Sequence, residues 1–180
     1  TDEPTLAPFT ATPTMYDPAD LSNLAQGDAA TASQSSTCYG GSASRAIDGN
    51  TNGNYYSNSV QHTCNEAQAW FKIDLGENLQ HTIKSVVVYN RNDCCMNSLI
   101  NTEVQLLDEQ GTVIDSKPIT SSSSVYNFDF GNIDGRYVRV QKNVYGGFTI
   151  AEVKVMGWSL TEDGLPPPTN IARQGTASQS

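Results

Sequence analysis

The sequence predicts an all-β domain, an eight-stranded β-sandwich of the jelly-roll type. Several short segments alternate apolar and polar residues and are rich in β-branched and aromatic side chains. Turn-forming residues separate these segments, and no stretch shows a long 3.6-residue period with helix caps. Short strands at this spacing are typical of a sandwich.

The predicted strands follow one another through the middle of the chain. Residues 69–75 alternate strictly, whereas residues 83–89 alternate less regularly. Turn signals at residues 108–111 and 132–135 separate later strands. The predicted strands are residues 69–75, 83–89, 102–107, 112–115, 125–130, 137–141 and 148–156.

Prolines mark the two ends of the domain. Residues 1–21 hold four of the eight prolines and residues 166–168 are three in succession, whereas only Pro118 lies between these stretches. This composition is typical of extended, stiff linkers. The sequence therefore predicts a linker at residues 1–21, a folded domain at 22–158 and a second linker at 159–169.

The last eleven residues resemble the beginning of the domain. Residues 176–180 repeat residues 31–35 letter for letter, and residues 170–172 resemble residues 23–25. We interpret residues 170–180 as the start of a second copy, which predicts a tandem array with neighbouring repeats as partners. The alternative is a low-complexity tail rich in Ser and Thr.

The charge balance excludes some partners. The net charge is -9, with ten Lys and Arg against nineteen Asp and Glu. Nucleic acid is excluded as a partner because phosphate binding needs a basic face, and an anionic membrane surface is disfavoured for the same reason. No apolar run approaches the roughly 20 residues of a membrane span, so no membrane insertion is predicted.

The four cysteines indicate an oxidising compartment. Their even number fits disulfides and an oxidising environment, so we expect a secreted protein or an extracellular surface. The alternatives are free thiols or a metal site. Zinc is disfavoured because there is no Cys-x-x-Cys pair and only two histidines are present. The cysteines are Cys38, Cys64, Cys94 and Cys95.

Oxygen-bearing side chains cluster in the loop at residues 45–59. Such hard oxygens suit calcium, which takes about 6–8 oxygen ligands. The alternative is a plain turn rich in Asn and Asp. Glu152 lies inside the predicted apolar strand 148–156, where a lone carboxylate needs a partner that a cation would supply. The loop's oxygen-bearing residues include Asp48, Asn50, Asn52 and Asn54.

Five segments together resemble the F-type lectins (fucolectins), a family of discoidin-like β-jelly-roll domains that bind fucose. They are residues 23–25 (Asn-Leu-Ala), 46–50 (Ala-Ile-Asp-Gly-Asn), 70–76 (Trp-Phe-Lys-Ile-Asp-Leu-Gly), 88–95 (Val-Tyr-Asn-Arg-Asn-Asp-Cys-Cys) and 150–157 (Ile-Ala-Glu-Val-Lys-Val-Met-Gly). The resemblance extends over residues 22–158. Its most specific element is the run from Arg91 to Cys95, since the first three segments also occur in discoidin-like relatives.

The resemblance implies a calcium site and a sugar site. The implied calcium ligands are backbone or side-chain oxygens of Arg45, Asp48, Asn50, Ser59, Ala151 and Glu152. The implied sugar-binding residues are His62, Arg91, Asp93, Cys94, Cys95, Tyr55 and Tyr56. In this assignment Arg91 and the His62 imidazole donate to the sugar, Asp93 orients the basic groups, and the tyrosines lie near the sugar methyl group. From the residues alone, a surface ion pair and an ordinary loop histidine remain open.

The resemblance also implies how the cysteines pair. Cys94 and Cys95 match an adjacent pair that forms a disulfide against the sugar ring. Cys38 and Cys64 then remain, and a bridge between them would pin His62. The rival pairing would link Cys38 and Cys64 to the second pair instead.

One position departs from the family pattern. The motif continues to a second basic residue, but Ser98 stands there. The leading prediction is therefore a calcium-stabilised module for fucosylated or other glycans, weakened at Ser98. The alternative is a structural building block of an extracellular tandem-repeat fibre, coat or adhesive with a degenerate lectin site. An enzyme is not predicted, since no nucleophile–base set stands out.

Overall fold

The computed structural model describes residues 21–77 and 79–161, which form ten β-strands. No α-helix occurs in these ranges, and the short helical turns are all of the 3₁₀ type. The strands are β1 Ser22–Asn23, β2 Thr31–Gln34, β3 Gln61–His62, β4 Trp70–Asp74, β5 Leu79–Asn90, β6 Thr102–Leu107, β7 Val113–Ile119, β8 Val125–Asp134, β9 Tyr137–Lys142 and β10 Thr149–Thr161.

The strands form two antiparallel sheets that pack face to face. One sheet has the order β1-β10-β5-β8, with β3 also pairing β10, and the other has the order β2-β4-β9-β6-β7. Side chains that alternate inward from both sheets share one apolar core, for example Phe71 and Ile73 of β4 with Val153 and Val155 of β10. Each such buried side chain contributes roughly 1.5–3 kcal/mol. The predicted all-β sandwich is confirmed.

The predicted strand count of eight is too low for the described residues. β1 and β3 have two residues each, so neither is long enough to show an alternating pattern. The predicted strand 112–115 runs on through Pro118 as Val113–Ile119, which β7 tolerates because it is an edge strand.

The boundary predicted at residue 159 is wrong. β10 continues to Thr161, and residues 159–161 pair with residues 79–81 of β5. The predictions made for residues 1–20 and 162–180, including the second repeat, lie outside the described residues. Within the described ranges, no helix is long and apolar enough to cross a membrane.

The end of β5 and the beginning of β10 place the loops of interest together. Asn90, the last residue of β5, pairs with Ile150, and Thr149 pairs with His62 of β3. The Asn90 side chain donates through Nδ2 to the carbonyl oxygens of Met96 and Ser123, each at 2.9 Å. The loops after β5, before β3 and before β10 therefore meet at one end of the sandwich.

Candidate functional site

Both predicted disulfides are formed. Cys38–Cys64 ties the loop before β3 to the residues that follow it, and Cys94–Cys95 joins the two adjacent cysteines after β5. Cys95 has a positive φ of 57° and precedes the 3₁₀ turn Met96–Leu99. The rival pairing across the two pairs is therefore excluded, and no free cysteine remains among the described residues.

Arg91 and Asp93 form a tight, partly buried pair. Arg91 donates from Nε and Nη2 to the two carboxylate oxygens of Asp93 at 2.7 and 2.8 Å. The two side chains are only 10% and 17% exposed, so this is not the loose surface ion pair that the sequence left open. The hydrogen bonds from Arg91 hold the pKa of Asp93 far below its usual range, and Asp93 in turn raises the pKa of Arg91.

Tyr55 connects this pair to the oxygen-rich loop. Its backbone N–H donates to Oδ1 of Asp93 at 3.1 Å, and its ring centroid lies 4.6 Å from the guanidinium carbon of Arg91. The backbone N–H of Asn92 donates to the Gly53 carbonyl at 2.9 Å. A Cβ at Gly53 would lie 2.7 Å from the Asn90 carbonyl oxygen, so only glycine permits this close approach.

The His62 ring is oriented by a hydrogen bond with the backbone of the next residue. Its Nδ1 lies 2.7 Å from the Thr63 carbonyl, which only accepts, so Nδ1 carries the proton. Burial lowers the pKa of His62 below its ordinary 6.5, and the charge of Arg91 lowers the pKa further. The imidazole is therefore neutral at pH 7, and Nε2 offers a lone pair.

Tyr39 belongs to the site, although the sequence analysis did not single it out. Its ring centroid lies 4.9 Å from that of His62 in an edge arrangement, and its carbonyl accepts from the Tyr55 hydroxyl. The side chain is 79% exposed. Its position directly after Cys38, a residue already expected beside His62, was the available signal. Tyr56 is also highly exposed, and its ring lies 5.9 Å from that of Tyr55.

A cleft of about 390 Å³ opens beside these residues. The Oγ atom of Ser98 lies 3.2 Å from Oγ1 of Thr149 at its wall. Lys142 holds the same turn through its ammonium group, which donates to the carbonyl oxygens of Ser98 and Ile100 at 2.5 and 2.8 Å. The side chain that Ser98 brings to this wall is therefore a neutral hydroxyl. The lining includes Tyr39, His62, Cys95, Ser98, Phe148 and Thr149.

The oxygen-rich loop consists of successive Asx turns. The Asp48 carboxylate accepts from the backbone N–H of Asn50 at 2.8 Å. Asn50, Asn52 and Asn54 repeat this pattern, since each side-chain oxygen accepts from the backbone N–H of the residue two positions later. The alternative prediction, a plain turn rich in Asn and Asp, thus explains the hydrogen bonds of these three Asn side chains. Ser59 is fully buried, and its hydroxyl donates to the Asn52 and Asn54 carbonyls.

Glu152 is the feature that an Asx turn leaves unexplained. It is fully buried, and its Oε1 accepts from the Gly49 N–H at 3.1 Å, while Oε2 has no hydrogen-bond partner in the described ranges. Burial raises the pKa of Glu152 to about 7, and the charge of Asp48 acts in the same direction. Ala151 lies at the register shift between Ile150 and Glu152, where the strand ladder is irregular.

The donor set here fits a hard cation that takes mixed oxygen ligands. The described residues contain no group of three or more His, Cys, Asp and Glu side chains able to hold a metal ion. A cation beside Asp48 and Glu152 would thus also need carbonyl and hydroxyl oxygens, as calcium accepts. The Arg45 side chain donates to other groups, from Nη1 to the Val60 carbonyl at 3.4 Å and from Nη2 to the Asn58 amide oxygen at 3.3 Å. Of Arg45, only the backbone carbonyl is therefore suited to bind a cation.

Comparison with known proteins decides the family. Residues 45–140 match the family model described as a NedA-like, galactose-binding domain. The lectin domain of lectinolysin, solved in complex with Lewis b antigen, is 36% identical, with a TM-score of 0.69 over 74% of this chain and 95% of that domain. The chain belongs to the F-type lectin family. A Streptococcus pneumoniae fucose-binding module has the same TM-score at 32% identity, over 74% of this chain and 96% of that module.

Among sequences, the F-type lectin domain is 42% identical to a fucolectin of Anguilla anguilla over 65 residues, 36% of this chain. That match spans only 39% of the eel protein. These relatives are lectins and carbohydrate-binding modules, so the prediction that the chain is not an enzyme is confirmed.

Proposed function

We propose that this F-type lectin domain binds a fucose-type sugar in the cleft beside His62 and Arg91. The observation that carries the proposal is the convergence of the Arg91–Asp93 pair, the neutral imidazole of His62 and the Cys94–Cys95 disulfide at one end of the sandwich. The eel relative is named a fucolectin, and the Streptococcus pneumoniae module is described as fucose-binding.

The polar groups of this site complement a sugar that carries hydroxyl groups of fixed direction. Arg91 keeps N–H groups beyond those donated to Asp93, so it can donate to sugar oxygens, while Nε2 of His62 accepts from a sugar hydroxyl. The Tyr39 ring and the disulfide supply apolar surface for the ring and its methyl group.

Ser98 lowers the expected affinity. A missing charge-assisted donor weakens binding by about 1.5–3 kcal/mol, roughly ten- to a hundredfold in affinity. Lys142 does not replace that donor, because its ammonium group is committed to the Ser98 and Ile100 carbonyls. We expect modest affinity at one site, which linked copies would raise through effective concentration.

Calcium is the proposed cofactor of the loop at residues 45–59. Its ligands would be the carboxylates of Asp48 and Glu152 with oxygens of Arg45, Asn50, Ser59 and Ala151. The ion would supply positive charge to an otherwise unmatched buried carboxylate. The loop itself fixes Asp93 through the Tyr55 N–H, so ordering the loop also orders Arg91.

The test compares Arg91→Ala with a matched control, Lys84→Ala, at an exposed position of β5. Both variants are applied to a glycan array with calcium and with chelator, after thermal unfolding has shown that they fold. We expect Arg91→Ala to lose fucosylated-glycan binding and Lys84→Ala to keep it. Wild-type binding by a folded Arg91→Ala protein would overturn the site assignment.

The second candidate function is a building block of an extracellular repeat array. Ser98 favours it, because a neutral residue at that position suits a lectin site that has lost its ligand. The two disulfides fit an extracellular location for either function. If neither L-fucose nor any arrayed glycan binds to the wild-type chain and Ser98→Arg restores binding, the building-block function is favoured over the lectin function.

A further inference from the structure

Two positive charges face each other on the outer surface of the second sheet. Lys72 of β4 and Arg139 of β9 are direct cross-strand partners. Both point away from the core, because their neighbours along the strands, such as Ile73 and Val138, fill it. Like charges directly opposite each other destabilise a sheet. The pairing is unexpected in a chain of net charge -9 with only ten Lys and Arg.

The carboxylates of the described residues near this pair lie beyond ion-pair distance of it. Among the described residues, neither Lys72 nor Arg139 forms an ion pair within 4.0 Å. Arg139 donates from Nε to the neutral Gln105 side chain at 2.8 Å, and burial lowers its pKa. Asp74, on the same strand as Lys72, accepts from Arg136 at 3.1 Å through both carboxylate oxygens, and the charge of Lys72 also lowers the pKa of Asp74. Lys72 is thus only partly matched by Asp74, and Arg139 forms no ion pair among the described residues.

A groove of about 250 Å³ lies between this pair and the turn that joins β6 to β7. Its volume is just under the roughly 300–1,000 Å³ of typical small-molecule sites, so it has room for one sugar ring rather than a chain. The Lys72 ammonium lies 4.8 Å from the Tyr137 ring centroid, which fixes its position over the groove. Glu109 and Gln110 of the turn form the other side, and Leu107 and Gly111 complete the lining.

We propose that this groove is a second saccharide site, specific for an acidic sugar that binds through its carboxylate. The carboxylate lies against Arg139 and Lys72, where charge-assisted hydrogen bonds form and the like-charge repulsion is relieved. The ring hydroxyls face the turn, where the Glu109 carboxylate accepts and the Gln110 amide accepts or donates. A neutral sugar leaves the cation pair unmatched and binds more weakly.

The site uses none of the residues assigned to the fucose-type cleft. That cleft is lined by residues of β3, β10 and the loop after β5, whereas the groove is lined by β4, β9, β6 and the turn after β6. The two sites are therefore separable by substitution. Failure of one assignment does not decide the other.

The test is a calorimetric titration of the full 180-residue chain with sodium glucuronate and, at equal ionic strength, with glucose. Wild type is expected to bind glucuronate saturably and glucose at least about tenfold more weakly. Arg139→Gln and Lys72→Gln should each weaken glucuronate binding by about tenfold or more, while the matched control Lys84→Gln keeps wild-type affinity. Arg91→Ala should also keep it.

Two further readouts make the outcome decisive. Lys72→Gln is expected to raise the thermal unfolding midpoint without ligand, because it removes the like-charge pair. L-fucose binding should be unchanged in Arg139→Gln. The proposal is overturned if glucose and glucuronate bind equally, if Arg139→Gln binds glucuronate like wild type, or if Lys84→Gln weakens binding as much as Arg139→Gln does.

Discussion

Two arginines of this domain, Arg91 and Arg139, occupy contrasting surroundings. Both carboxylate oxygens of Asp93 accept hydrogen bonds from Arg91, which raises the pKa of Arg91. Within the described part of the chain, the neutral Gln105 is the only side chain that accepts a hydrogen bond from Arg139, and burial lowers the pKa of Arg139. A matched charge is held in one orientation before ligand arrives. An unmatched charge gains most when an oppositely charged ligand binds. The cleft therefore suits a neutral sugar, and the outer groove suits an acidic one.

Removing the partner of Arg91 gives the largest expected effect. Asp93→Asn leaves one amide oxygen to accept from Arg91, because the amide nitrogen only donates, so one of the two hydrogen bonds is lost and the guanidinium is freer to move. We expect L-fucose affinity to fall by about ten- to a hundredfold, measured by calorimetry. Glucuronate binding should not change. Unchanged fucose affinity in a folded Asp93→Asn protein would show that the Arg91–Asp93 pair is only structural.

The comparison of matched and unmatched charges also applies to an anion, the buried carboxylate of Glu152. In chelator, Glu152→Gln should raise the free energy of unfolding by about 1–3 kcal/mol at pH 8, because it removes a buried charge whose Oε2 has no hydrogen-bond partner among the described residues. With calcium the wild type should have the higher free energy of unfolding, because only the wild type has the Glu152 carboxylate to bind the ion. Denaturant unfolding of both proteins under both conditions tests this. Calcium that stabilises the two proteins equally would contradict the proposed ligand role.

The pH dependence of sugar binding tests the role of His62. Its pKa is lowered in the folded protein, so the neutral form persists below pH 6.5 and is lost as the pH falls through the lowered value. Protonation turns Nε2 from an acceptor into a donor, so L-fucose affinity should weaken by about tenfold in acid, with a midpoint below pH 6.5.

The lowered pKa of His62 also stabilises the folded protein above pH 6.5. This stability is lost as the pH falls, because the unfolded chain then binds the proton more readily.

Calorimetric titration with L-fucose from pH 8 to 5 measures the change in sugar affinity. Affinity that rises toward acid would contradict the acceptor role of Nε2.

Truncating the partner of Arg139 should have the smallest effect. Gln105→Ala removes one hydrogen bond to the guanidinium and should lower the free energy of unfolding by about 0.5–1.5 kcal/mol. Fucose affinity should stay at the wild-type value, because the cleft contains neither residue. Chemical denaturation and a fucose titration check both statements. A fall in fucose affinity would couple two regions that we treat as independent.

The longer strands could be predicted from the sequence because alternation and turn signals are local. The 102–107 strand has the predicted bounds, whereas β1 and β3 could not be found, since two residues carry no periodicity. β10 runs beyond residue 158 because its end pairs with the beginning of β5, which is a tertiary contact.

Part of the candidate site could also be predicted, because some of its residues are adjacent in the sequence. The run Arg91 to Cys95 is contiguous, and the structure places Arg91 and Asp93 in direct contact with each other and with Tyr55. Tyr39 and Lys142 were missed because their roles depend on folding, which brings one against His62 and the other beneath Ser98. The cross-strand pairing of Lys72 with Arg139 depends on register, which alternation along one strand does not reveal.

The central claim is that the cleft beside His62 and Arg91 binds a fucose-type sugar. An NMR titration of the isotope-labelled chain with L-fucose in calcium tests it most directly. The account predicts saturable shifts at the amides of His62, Arg91 and Ser98, with Lys72 and Arg139 unaffected. Absence of saturable shifts at the cleft, or shifts confined to the Lys72–Arg139 groove, would contradict it.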